Sequence, residues 1–235
     1  MNGLFRDRVD AGRRLAQALH GYAGRGDVVV LALPRGGVPV AYEVAQALGA
    51  KLDVLIVRKL GAPGNPEFAV GAIASGGTLY LDEPTLRELE IGEQQLARLI
   101  DQERVEVRRR ELAYRGAAES VAIEGKTVIV VDDGVATGAT MQAALRALRA
   151  RHPARLVVAV PVAPLGVDAE FDDVADEFVC VLRPAWFMGI GQFYADFDQT
   201  SDDEVRACLD AARGQPRADA RDCTAPPAPK EGGDA

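Results

Sequence analysis

Short, unbroken apolar runs constrain this chain more than any other feature. Val28 to Leu33 contains no polar side chain and stops at Pro34-Arg35-Gly36-Gly37; Thr127 to Val131 behaves alike and stops at Asp132-Asp133-Gly134. A strand with one face in water alternates polar and apolar residues. A strand without polar positions is covered on both faces, as in parallel sheets sandwiched between helices. Val54 to Val57, Leu156 to Val160 and Phe178 to Leu182 have the same character, and helical patterns from about Val38 to Gly49 and Met141 to Arg151 lie between such runs. The alternation predicts an α/β fold, a parallel twisted sheet of about five strands flanked by helices. An amphipathic helix within residues 5–23, with Leu15, Ala18, Leu19 and Tyr22 on one side, is expected to pack outside the core.

One excursion interrupts the pattern. Gly61 to Pro66 is rich in glycine and proline, Ala69 to Ala74 and Thr78 to Leu81 read as a hairpin about Gly76-Gly77, and Pro84 to Arg115 is charged and helical. Leu89, Leu96, Leu99, Ile100 and Val107 give that last segment a narrow apolar stripe, so it is expected to be a solvated helix packed along one face. Residues 1–213 are read as one domain, with a hairpin and a helical insertion at about 84–116 forming a hood; residues 214–235, nearly free of large apolar side chains, are expected to be a disordered tail.

Composition removes several functions. With 27 basic against 35 acidic residues and a net charge of -8, attachment to nucleic acid or membrane through bulk charge is disfavoured. Three scattered cysteines without a CxxC pair suggest neither a disulfide framework nor a thiolate zinc cluster, which fits a reducing cytoplasm. Charges through the first twenty residues and interrupted apolar stretches predict neither a signal core nor a membrane span. His20 and His152 stand apart and no GxSxG elbow occurs, so a hydrolase triad or zinc site is not expected. Glu124-Gly125-Lys126-Thr127 has Ser120 where a Walker loop needs glycine, and Gly189-Ile190-Gly191 lacks the third glycine of a dinucleotide fingerprint.

The chemistry concentrates in Val128-Ile129-Val130-Val131-Asp132-Asp133-Gly134-Val135-Ala136-Thr137-Gly138-Ala139-Thr140. A turn of small residues opening a helix presents free N–H groups at the positive end of the helix dipole, a natural seat for phosphate, and Thr137 and Thr140 add hydroxyls. Adjacent carboxylates beyond a parallel strand suit vicinal sugar hydroxyls or a hydrated magnesium ion. A sugar phosphate is the inferred ligand class.

This segment resembles the signature of the type I phosphoribosyltransferases, which bind phosphoribosyl pyrophosphate. The resemblance implies that family's fold, with Asp132 and Asp133 on the ribose hydroxyls and Ala136, Thr137, Gly138, Ala139 and Thr140 around the 5'-phosphate. It makes Arg35-Gly36-Gly37 the pyrophosphate loop, with a cis bond expected between Pro34 and Arg35. It also makes Arg58-Lys59 the cations that open a mobile loop, about residues 60–78, and meet the leaving diphosphate. Arg58, Lys59, Asp132 and Asp133 are the implied catalytic set, with Mg²⁺ as cofactor and Asp133 and Asp196 facing it, directly or through water. A homo-oligomer is common in the family.

The acceptor is less determined. Pro161 and Val162 stand where hypoxanthine-guanine enzymes carry a purine-reading lysine, and Ala136 replaces their phosphate-turn aspartate. Trp186, with Phe187 second, is the candidate for stacking a purine-like base, although these aromatics equally suit closure of the core under the last strand. Three functions follow: transfer of a phosphoribosyl group to a nitrogenous base, a non-catalytic sensor of phosphoribosyl pyrophosphate or a nucleotide, or use of the pocket for another sugar phosphate with hydrolysis.

Overall fold

A computed structural model describes residues 4–214, and the expected tail lies almost wholly outside them. The apolar runs pair as their burial demands. β1 (Val28–Ala32) and β6 (Thr127–Val131) lie side by side in a five-stranded parallel sheet completed by β2 (Lys51–Val54), β7 (Arg155–Val162) and β8 (Glu177–Leu182), in the order β2-β1-β6-β7-β8. Every residue of β1 and β6 is buried, because both faces are covered. Val28, Val30 and Ala32 face a core built with α1 (Arg8–Ala18), α2 (Gly37–Leu48) and α6 (Asp202–Ala212). Val29 and Leu31 point the other way, into a core with α5 (Ala139–Arg149). Alternate residues serving two apolar layers is the period of a strand applied to a sandwich.

The opening helix differs in detail from its expected face: Ala11, Gly12, Leu15 and Ala16 are buried while Ala18 is exposed. Gly12 is required there, since a Cβ would stand 2.7 Å from the Val40 carbonyl oxygen of α2.

The excursion forms a second sheet. β3 (Val57–Ala62), β4 (Asn65–Ala74) and β5 (Thr78–Leu81) run antiparallel in that order, followed by α3 (Glu83–Glu88) and α4 (Glu93–Arg115). Thus the segment expected to be a loop at about 60–78 is largely strand, and the anticipated Val54 to Val57 strand is divided between the sheets. The division has a cause in hydrogen bonding. Leu55 N–H still donates to Ala32 O of the first sheet, whereas Ile56 N–H donates to Ser75 Oγ and its carbonyl accepts from Ser75 N–H, which diverts the chain into the hood. The second sheet leans on α5, where Arg146 donates to Tyr80 Oη at 2.8 Å. Among the described residues no helix is long and apolar enough to cross a membrane.

Candidate active site

The register of β1 on β6 assembles the site. Ala32 stands opposite Val131, and Leu33 N–H donates to Val131 O at 2.9 Å, so the Pro34-Arg35-Gly36-Gly37 loop and the acid pair leave neighbouring strand ends together. The Pro34–Arg35 peptide is cis, as expected. Contact is close enough to dictate glycine. A Cβ on Gly37 would meet Val131 O at 2.8 Å and Asp132 Cα at 2.9 Å; on Gly36 it would fall 1.9 Å from Asp133 Oδ2. Gly37 N–H is spent on Leu33 O, closing the turn, whereas the N–H groups of Arg35 and Gly36 donate to no acceptor among the described residues.

Asp132 and Asp133 differ. Asp132 is partly accessible and its Oδ1 accepts from Asp133 N–H at 2.8 Å. Burial, then the charge of Asp133, pushes its carboxyl well above the usual carboxylate range. Asp133 is 8% exposed, and its carboxyl is also raised by burial, against which the Arg8 guanidinium pulls it down. Arg8 Nε donates to Asp133 Oδ2 at 2.8 Å, Arg8 Nη1 donates to Asp198 O at 2.7 Å, and its guanidinium lies 4.1 Å from the Phe197 ring centroid. Tyr194 Oη donates to Asp133 O at 2.6 Å. Sequence reasoning missed Arg8, Tyr194 and Phe197; the available signal was the acid pair itself, which once buried requires a counter-charge.

Beyond the acids the chain turns into α5. Gly134 packs under Ile190, and Gly138, the residue capping the helix, has φ 77° with no room for a Cβ against Phe171. Ala136, Thr137, Ala139 and Thr140 are exposed, and none of the N–H groups from Ala136 to Thr140 has an acceptor among the described residues. These amides, at the N-terminus of an eleven-residue helix, form an open anion seat.

The remaining nominated residues divide. Arg35 faces Asp202 at the start of α6, 3.7 Å away. Arg58 and Lys59 lie within β3, not at the end of a core strand, and line a cleft of about 430 Å³ with Gly61 to Gly64 and residues of α4. There Arg58 Nε donates to Glu103 Oε2 at 2.7 Å, while Lys59 has no ion-pair partner among the described residues. Trp186 is 86% exposed, its ring presented to solvent. Phe187 instead stacks on Phe193, centroids 5.6 Å apart, beside the apolar cluster of Phe5 and Tyr194. Asp196 is partly buried, with Oδ1 accepting from Asp198 N–H at 3.1 Å.

The two residues expected to face magnesium, Asp133 and Asp196, sit in different surroundings. A guanidinium occupies the carboxylate edge of Asp133 facing the 196–198 segment, and no group of three Asp, Glu, His or Cys converges among the described residues. Asp132, partly accessible, presents a carboxylate on which a cation completing its shell with ligand oxygens and water would fit.

Comparisons with known proteins agree with this fold. A family model described as phosphoribosyl transferase domain matches residues 5–198. Proteins from two Mycobacterium tuberculosis strains, each named "putative phosphoribosyl transferase", are 47% identical over 209 residues, covering 89% of this chain and 47% of theirs. The chain therefore spans about half the length of these relatives. The crystal structure of TT1426 from Thermus thermophilus matches with a TM-score of 0.79 and 46% identity, over 88% of this chain and 97% of that one.

Proposed function

The chain belongs to the phosphoribosyl transferase domain family, and on that premise we propose that it moves the 5-phosphoribosyl group of phosphoribosyl pyrophosphate to a nitrogenous base, releasing diphosphate. The observation that carries the reading is the β1–β6 register, which brings an acid pair, a glycine loop with open amides and an amide-lined helix start to one sheet end. Sugar hydroxyls, diphosphate and 5'-phosphate each find a complementary group there.

In this reading the C1–O bond to diphosphate breaks with its electron pair leaving on the diphosphate. Cationic character develops on the ribose, and a base nitrogen supplies the lone pair for the new C1–N bond while its proton passes to water. Positioning and electrostatic stabilisation dominate such a step. Asp132 orients the ribose hydroxyls, the amides of Arg35 and Gly36 face the diphosphate, and the 136–140 turn holds the 5'-phosphate. Lys59 is the cation left to meet the leaving group. A magnesium ion bound with the ligand, held by Asp132, would neutralise diphosphate charge. Trp186 offers an uncovered ring for a purine-like base.

The second reading, a sensor that binds the same ligand without turning it over, draws support from the engagement of Arg58 by Glu103 and Arg35 by Asp202. One assay separates the two. Phosphoribosyl pyrophosphate, Mg²⁺ and a panel of purines and pyrimidines are incubated with the protein, and diphosphate and nucleotide are measured. Product with one base supports transfer, saturable binding without product supports the sensor, and absence of binding overturns both. If transfer occurs, Lys59→Ala should lower kcat by about 100-fold with ligand affinity little changed.

A further inference from the structure

We propose that Arg8 is a positioning residue for this site: its guanidinium ties the second acid to the 193–198 segment and so sets the acceptor side of the pocket against the ribosyl cradle. The inference rests on the functional reading above, because it names the residue that aligns that reading's two halves.

Three kinds of contact converge on one side chain. Arg8 Nε reaches Asp133 Oδ2 at 2.8 Å, Nη1 reaches Asp198 O at 2.7 Å, and the guanidinium face covers Phe197 at 4.1 Å. Both charged side chains are nearly closed to water, 13% exposed for Arg8 and 12% for Asp133. Around them the chain is knitted from both ends: Phe5 N–H donates to Phe193 O, Ala195 N–H to Phe5 O, and Asp196 N–H to Arg6 O. The Tyr194 hydroxyl binds the carbonyl of the same Asp133. The acid therefore carries the 193–198 segment on its backbone through Tyr194 and on its carboxylate through Arg8.

That segment is the anchor of the loop before it. Ile190 lies over Gly134, where a Cβ would come within 2.7 Å of it, and a few residues earlier the loop presents Trp186 and Met188 with 86% and 91% of their surface exposed. An exposed ring is placed only as accurately as its anchor. Arg8 supplies a planar fork with a stacking face, and lysine reproduces neither the second donor direction nor the face.

The test uses the full chain with Arg8→Lys and Arg8→Gln. Trp186 is the sole tryptophan, so its fluorescence anisotropy, with hydrogen exchange over 186–198, reads loop anchoring without any ligand. The expected result is a more mobile Trp186 and faster exchange in both variants, with the circular dichroism of the folded chain retained. In kinetics, KM for the acceptor base should rise by about tenfold or more while KM for phosphoribosyl pyrophosphate moves little. Wild-type anchoring and KM values in Arg8→Lys would overturn the proposal, as would equal changes in both KM values with no change in anchoring. Failure of the functional reading looks different: the wild type would bind no phosphoribosyl pyrophosphate, yet the anisotropy change would still support the positioning role.

Discussion

Gly36→Ala tests whether the acid pair is packed as described. The new Cβ would lie 1.9 Å from Asp133 Oδ2, 2.6 Å from its Cγ and 3.2 Å from Arg8 Nε, distances at which something must move. The backbone of the loop has little freedom, because Leu33 N–H donates across to Val131 O and Gly37 N–H closes the turn on Leu33 O. Asp133 is therefore the group displaced, and it can leave only by giving up Arg8. Both side chains are almost wholly buried, and separating a buried charge pair costs about 3–5 kcal/mol. Taking about 3 kcal/mol, with 2–4 °C per kcal/mol for a domain of this size, the melting temperature should fall by about 6–12 °C. Urea and thermal unfolding would be measured beside Gly26→Ala, where a Cβ meets nothing within 4 Å. The double variant Gly36→Ala/Asp133→Ala should be less destabilised than the sum of the singles, since the second change removes the obstructing carboxylate. Strict additivity, or a Gly36→Ala midpoint equal to that of Gly26→Ala, would refute the packing.

Asp132→Asn should stabilise the unliganded protein by about 1 kcal/mol while abolishing binding of phosphoribosyl pyrophosphate, as at other sites where function is kept at a cost in stability. The sign follows from the raised carboxyl pKa, caused first by burial and then by Asp133: the folded state holds its proton more tightly, so this group's contribution to wild-type stability should grow as pH falls through the raised folded-state pKa toward the unfolded carboxyl range of about 3.9, and Asp132→Asn should remove that slope in pH-dependent urea titrations. Arg115→Met should cost about 3–5 kcal/mol in the same unfolding assay, because Arg115 neutralises Asp53, which is 2% exposed and also accepts from the N–H groups of Val54 and Val121. Arg109→Met, at an exposed pair with Glu106, should leave the midpoint unchanged.

What the sequence disclosed and what it hid have a common physical origin. β1, β6 and β7 beyond Arg155 were legible because burial on both faces leaves almost no polar position, a local signal that needs no partner, whereas β8, a partly exposed edge strand, was legible only from the apolar run Phe178 to Leu182. The point where the chain passes from the first sheet to the second was not, because Leu52, Val54, Leu55, Ile56 and Leu60 are all buried, and an apolar run does not say which sheet it serves. That choice belongs to Ser75, nineteen residues beyond the Ile56 amide it receives. The glycine loop was legible as a place without side chains, but its packing role was not. Gly37 spends its amide inside the turn, and Gly36 is bare chiefly to make room for Asp133. Arg8 lies 125 residues from its acid, on a helix whose other arginines are solvated, so no periodicity distinguishes it.

On the proposed function, a chain of net charge -8 must seat a ligand rich in phosphoryl groups. Side-chain cations supply little of the attraction, since Arg8 is bound to Asp133, Arg35 faces Asp202 and Arg58 is held by Glu103. Besides Lys59, what stays open is backbone: the amides of Arg35 and Gly36, those from Ala136 to Thr140, and the positive end of α5. Amides point in fixed directions and carry no counterions to release, so such a seat selects by the placement of oxygens where a lysine cluster would select by total charge. On the proposed function, a pocket of that kind would favour a small phosphorylated sugar over bulk polyanions, which a net negative chain repels. Bulk charge and local chemistry therefore agree: the net negative chain disfavours nucleic acid, while the strand-end amides favour one compact anion.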